Sequence, residues 1–292
     1  MSDSETLIAH FEKALTNHYG KKIKCKSYRF ATGGCINRAL QIQTNEGDFF
    51  VKQNDAARYP GMFAAEAKGL NLLQSAGAIR VPEVICVDDA GNFLILEFIR
   101  SSGRSKLFWE NFGRALAGLH RCASSRFGLE YDNYIGSLRQ SNRQHDTWNA
   151  FFIRERLEPQ VKLALNEGKL SKKHAAQFEK LYERISDIFP HEPPALLHGD
   201  LWNGNFMTGD DGEAWLIDPA VYYGNREMEI AFTRLFGGFD ARFYNAYQEV
   251  FPLQPGFHER EALCNIYPLL THVNLFGGGY LTSVESILKS YS

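Results

Sequence analysis

Apolar and polar positions along the chain fall into two regimes. After a polar start, "MSDSETLIAHFEKAL" predicts an amphipathic helix. Three short runs follow, "CKSYRFAT", "CINRALQIQT" and "DFFVKQN". Gly33-Gly34 separates the first two and Asn45-Glu46-Gly47 the next two, which predicts strands joined by turns. Pro60 is placed to open a helix running to about Ala76, with Gly77 as its stop. "VPEVICV" and "NFLILEFI" predict two more strands around Asp88-Asp89-Ala90-Gly91. Beyond Arg100 the period changes. "KLFWENFGRALAGLHRC", "DTWNAFFIRERLEPQVKLAL" and "SKKHAAQFEKLYERISDIF" predict helices, and helices resume after Glu227. Only "LLHGDLWNGNFMTGDDGEAWLIDP" interrupts them, as a hairpin. The pattern predicts an α+β fold of two lobes: a five-stranded antiparallel lobe over residues 1–98 and a mainly helical lobe over 99–292.

Composition narrows the class. A 292-residue chain with 44% hydrophobic residues can fill a sizeable core. Lys plus Arg number 32 and Asp plus Glu 34, for a net charge of −2. That balance argues against a nucleic-acid binder, which presents a basic face. The cluster Lys21, Lys22, Lys24 and Lys26 reads as solvated surface. No apolar run is long enough to span a bilayer, and the N-terminus has no signal-peptide core. The five cysteines are scattered, with no zinc spacing, which predicts a reduced, cytoplasmic setting.

Candidate chemistry lies at a few positions. Phe50 and Lys52 share one face of the third strand, Phe49 and Val51 the other. On the helix after Pro60, Glu66 falls within the apolar stripe of Phe63, Leu70 and Leu73. A carboxylate there needs a partner, and Lys52 is the candidate, in the manner of the Lys–Glu pair that holds ATP phosphates. Gly33-Gly34 could present backbone amides to those phosphates. Glu97, in the fifth strand, completes the expected ATP-binding set. "HGDLWNGN" then places Asn205 five residues after Asp200, the spacing of a kinase catalytic loop. Asp200 would accept the proton of an acceptor hydroxyl. Asn205 and Asp218 would bind Mg²⁺ through oxygen. Between Asp218 and the next helix stands only "PAVYYGNREMEIA", with no room for a long activation loop, so a small-molecule hydroxyl is the expected acceptor. Trp202 is expected to border the acceptor pocket, with His272 and Asn274 of "THVNLFGGGY" as polar partners for substrate. Cys35, beside the glycine pair, is a candidate redox thiol, which leaves a monomer or a redox-linked homodimer as the expected state.

The chain resembles the fructosamine kinase (ketosamine 3-kinase) family, relatives of aminoglycoside phosphotransferases and choline kinases. "GGCIN", "FFVKQN", "FAAEAKGL", "FGLEYDNYIGSLRQ", "LLHGDLWNGN", "AWLIDPAVYYGNREMEIA" and "YPLLTHVNLFG" carry the resemblance over nearly the full length. His-Gly-Asp…Asn and Ile-Asp-Pro belong to the wider group of small-molecule kinases. Trp202, "DNYIGS" and "THVNLFGGGY" are more specific. The resemblance implies a protein-kinase-like fold and an ATP- and Mg²⁺-dependent enzyme that phosphorylates the sugar 3-hydroxyl of free or protein-bound ketoamines. The phosphorylated adduct then breaks down and releases the amine, a deglycation or protein-repair role. Two other readings stand beside it: a kinase of amino alcohols or aminoglycosides, and a catalytically dead ATP-binding scaffold.

Overall fold

The computed structural model describes residues 3–31 and 37–291. Gly33, Gly34 and Cys35 lie outside the described residues, so the phosphate-loop and redox expectations rest on sequence alone. Along the chain, α1 (Asp3–Tyr19) is followed by β1 (Cys25–Phe30), β2 (Arg38–Thr44), β3 (Asp48–Gln53), α2 (Met62–Ala76), β4 (Val84–Val87) and β5 (Phe93–Glu97). The five strands form one antiparallel sheet in the order β1-β2-β3-β5-β4. Alternation decides its faces. Leu40, Ile42, Phe49, Val51, Phe93 and Ile95 pack against Phe11 and Leu15 of α1. Lys52, opposite Ala39 and Leu94, lies out of step with that apolar set.

Helix α2 begins two residues later than Pro60 predicts. Met62 N–H donates to Tyr59 O at 3.2 Å, and Gly61 takes a φ of 75°, so Pro60-Gly61 closes a turn before the helix starts. The helix ends as expected, with Gly77 N–H donating to Gln74 O.

The helical part opens with α3 (Phe108–His120). A short hairpin follows that the apolar pattern does not predict: β6 (Asn133–Ile135) and β7 (Leu138–Gln140). The single helix expected over 146–165 is three pieces: α4 (Trp148–Phe151), a π-helical stretch Phe152–Leu157, and α5 (Glu158–Asn166). Pro159 explains the break. It has no N–H to give the carbonyl of Glu155, and Arg156 Nη1 bonds that carbonyl instead, at 3.0 Å. Then come α6 (Lys172–Ile188), β8 (Ala195–Leu197), the hairpin β9 (Phe206–Thr208) and β10 (Ala214–Leu216), and β11 (Tyr222–Gly224). The chain closes with α7 (Arg226–Leu235), α8 (Ala241–Val250), α9 (Phe257–Cys264), α10 (Ile266–Phe276) and α11 (Tyr280–Tyr291).

By contacts the chain divides into two compact units. The first is Met1–Lys106 with Met207–Ile217; the second is Leu107–Phe206 with Asp218–Ser292. The first thus takes in most of the β9–β10 hairpin, where Trp215 bridges to Arg80. Among the described residues no helix is long and apolar enough to cross a membrane.

Candidate active site

In the first unit, Lys52 Nζ donates to Glu66 Oε1 at 2.5 Å. Their side chains are only 6% and 10% exposed. Phe63, Leu70 and Leu73 are buried on the same helix, so Glu66 does sit in the apolar stripe and meets Lys52 there. Glu97 Oε2 accepts the Glu83 N–H at 3.1 Å, which ties the end of β5 to the entry of β4.

In the second unit, β8 is fully buried and delivers His198-Gly199-Asp200. Gly199 has a φ of 83°, and a Cβ on it would stand 2.1 Å from Ala220 O. No other residue fits there. Ala220 N–H donates to His198 O at 2.9 Å, so the segment before Asp200 is stitched to the segment after Asp218. Asn205 Nδ2 donates to both the backbone oxygen and Oδ2 of Asp200, each at 2.8 Å. Its amide nitrogen is thereby turned to Asp200, leaving the amide oxygen as a donor atom for a cation. Asp218 has a φ of 56°, the only positive value outside glycine among the described residues. A residue before proline disfavours helical geometry, so its surroundings hold this conformation.

Burial pushes the Asp200 carboxyl well above its ordinary range, and the charges of Asp218 and Glu229 push it the same way against the opposing Asn205 bond. Carboxylate and amide oxygens are the ligands a hard divalent cation takes. Among the described residues no group of three or more His, Cys, Asp and Glu could hold a metal ion. Asn205 and Asp218 could contribute oxygen ligands to Mg²⁺, an ion that keeps waters and shares phosphate oxygens.

Glu229, on α7, is a site residue the sequence reading missed. Its Oε1 accepts the Gly199 N–H at 2.7 Å and its Oε2 accepts the His198 N–H at 3.2 Å. It braces the loop directly ahead of Asp200. His120 Nε2 donates to Glu229 Oε2 at 2.9 Å, and His120 Nδ1 lies 2.8 Å from the Tyr247 hydroxyl. Tyr247 accepts from Arg226 at 3.3 Å, and Arg226 forms an ion pair with Glu192. Burial pushes the Glu229 carboxyl up, but the His120 and backbone contacts outweigh it and hold it below the usual range.

A cavity lies beside Asp200, walled by Ile135, Leu197, Tyr222, Phe232, Tyr267 and His272. Its back is rigid. Arg156 is fully buried, 4.1 Å over the Tyr222 ring and 5.5 Å from the Tyr267 ring. Tyr267 donates to Gln140, Gln140 donates to Asn133 and to Ala220 O, and Asn133 donates to Val221 O. The β6–β7 hairpin thus braces the chain just after Asp218, which gives "DNYIGS" a supporting place.

The expected acceptor residues separate. His272 lines the cavity, its Nδ1–H donating to Pro268 O at 2.7 Å. Asn274 does not line it; its amide nitrogen is spent on Gln160, at 2.7 Å from Oε1 and 3.0 Å from the backbone oxygen. Trp202 is not in the cavity wall. It folds over Gly204, where a Cβ would stand 2.4 Å from the indole, and meets Phe236 edge-on at 6.2 Å. Phe236 in turn meets His272 at 5.0 Å, which joins Trp202 to the cavity through rings.

Known proteins share this chain's sequence and fold. The family model for fructosamine kinase matches residues 7–292. A probable ketoamine kinase of Synechocystis sp. is 38% identical over 273 residues, 92% of each chain. The chloroplastic protein-ribulosamine 3-kinase of Arabidopsis thaliana is 38% identical over 282 residues, 93% of this chain and 84% of the relative. A crystal structure from Thermobifida fusca, assigned as a fructosamine-3-kinase, superposes with a TM-score of 0.87 at 32% identity over 96% of this chain and 97% of that one. An aminoglycoside phosphotransferase superposes with a TM-score of 0.62 at 15% identity over 96% and 98% of the two chains, a likeness of fold alone. With the match running from Leu7 to the C-terminus, the chain belongs to the fructosamine kinase family.

Proposed function

We propose that this kinase uses ATP to phosphorylate the sugar 3-hydroxyl of ketoamines, with Asp200 as the base. The observation that carries the reading is a half-buried Asp200 carboxylate, bonded by Asn205, at the wall of a cavity. Asp200 accepts the hydroxyl proton as the oxygen attacks the terminal phosphorus of ATP, and ADP departs. Lys52, held by Glu66, would neutralise the ATP phosphates. Asn205 and Asp218 would hold Mg²⁺, which supplies charge neutralisation across the transferring phosphoryl group. Tyr222, Tyr267 and His272 would receive the sugar, with His272 Nε2 able to accept from one of its hydroxyls.

Asp200→Asn tests the base. The amide cannot take the proton, so turnover of a fructosyl or ribulosyl amine falls by about 10²-fold or more, while nucleotide affinity holds. Near-normal ADP release with the same ketoamine contradicts the assignment.

A further inference from the structure

The second unit carries a partly exposed aromatic surface that reaches the acceptor cavity at His272. Trp202, Phe236 and Phe276 are 36%, 37% and 58% exposed. Ring contacts join them into one surface: Trp202 to Phe236 at 6.2 Å, Phe236 to His272 at 5.0 Å, His272 to Tyr280 at 4.9 Å and to Phe276 at 5.5 Å. The rings are tilted or edge-on to one another, at 51° to 78°. One end of the surface begins two residues after Asp200, and its middle member, His272, also lines the cavity beside Asp200. The surface is therefore continuous with the acceptor cavity.

His272 adds a face and a lone pair without charge. Its Nδ1–H is fixed on Pro268 O, which leaves Nε2 as an acceptor. Burial lowers its pKa, so the ring is neutral at neutral pH. Clustered ring faces attract an organic cation, more strongly as it sheds water. On the function proposed above, the acceptor has such a cation. The ketoamine nitrogen is a secondary alkylamine, protonated at neutral pH and joined through C1 and C2 to the carbon bearing the reacting hydroxyl. With that hydroxyl at Asp200, the nitrogen stands a few bonds away, and His272 is where the ring surface meets the same cavity.

We propose that Trp202, Phe236, His272 and Tyr280 form an aromatic subsite for the protonated secondary amine of the ketoamine, and that Phe276 extends it along the hydrocarbon chain of the amine. The subsite rests on the ketoamine reading and adds what that reading lacks: a way to reject the uncharged sugar.

Two ligands that differ at one atom test it. One is the N-butyl ketoamine of fructose; the other is the ether with oxygen in place of nitrogen. Binding to the full chain is measured by calorimetry, and transfer by ADP release. The amine binds about tenfold tighter than the ether, the scale of a partly desolvated cation–aromatic contact. Phe236→Leu, which keeps apolar bulk and removes the ring, brings the ratio near unity and leaves nucleotide binding unchanged. Tyr280→Leu, at a half-exposed position, reports the same loss should the first variant fold poorly. Equal binding of amine and ether by the unaltered protein overturns the subsite, whichever is phosphorylated. So does a preference that survives in a folded leucine variant. Tight, ring-dependent binding of the amine without phosphate transfer keeps the subsite and removes the ketoamine as the kinase's acceptor.

Discussion

Glu229 carries the clearest consequence at the scale of single residues. It accepts two backbone N–H groups immediately ahead of Asp200 and acts through that loop, as a positioning residue. Glu229→Gln puts an amide N–H₂ where one of those N–H groups needs an acceptor. An unsatisfied buried donor costs about 1–3 kcal/mol, enough to displace the loop. kcat falls about tenfold while the KM for ATP changes little. The pH profile separates this from simple loosening. The Glu229 charge raises the Asp200 pKa, so removing it lowers that pKa and moves the acid limb of kcat/KM to lower pH. A limb that stays in place, with kcat intact, contradicts the brace. Glu229 was not legible in the sequence because acids in a first helical turn read as complements to the helix dipole. Its burial follows from partners remote in sequence, as do those of its neighbours: His120 for Glu229, Glu192 for Arg226 and Arg260 for Glu227. Asp200, Asn205 and Asp218 stood out because their spacing is local, and Lys52 and Glu66 because each broke an apolar pattern.

At the scale of elements, the Lys52–Glu66 contact ties β3 to α2. Glu66→Ala removes the carboxylate beside a buried ammonium, and breaking such a pair costs about 3–5 kcal/mol of stability. Denaturant unfolding reads that loss, and nucleotide titration reads weaker ATP binding alongside it. A variant equal to the unaltered protein in both removes the pair from the account. The five strands and α2 were readable because each alternates or repeats over enough residues to show its period. The β6–β7 hairpin was not, since three-residue strands carry too few positions to display alternation. The π-helical stretch was hidden for another reason. Its apolar pattern continues a helix, and only the missing N–H of Pro159, answered by Arg156, changes the hydrogen-bond register. That irregularity places a buried guanidinium behind Tyr222 and Tyr267, two walls of the cavity.

At the scale of the whole molecule, the near-neutral charge and the family match over residues 7–292 favour a small-molecule or adduct acceptor over a nucleic acid. The shared kinase motifs alone leave the acceptor open, since aminoglycoside phosphotransferases have the same fold. The family match narrows it to ketoamines, and the aromatic subsite proposed above would recognise their amine. One measurement tests this most directly. The protein is incubated with ATP, Mg²⁺ and a panel of fructosyl-lysine, ribulosyl-lysine, free fructose, choline and an aminoglycoside, and the phosphorus-to-proton couplings of the products are assigned. The account predicts phosphate on the C3 oxygen of the ketoamines, little on the other acceptors, and none with Asp200→Asn. Phosphate on a different hydroxyl of the ketoamines, or transfer to choline or the aminoglycoside in their place, contradicts it.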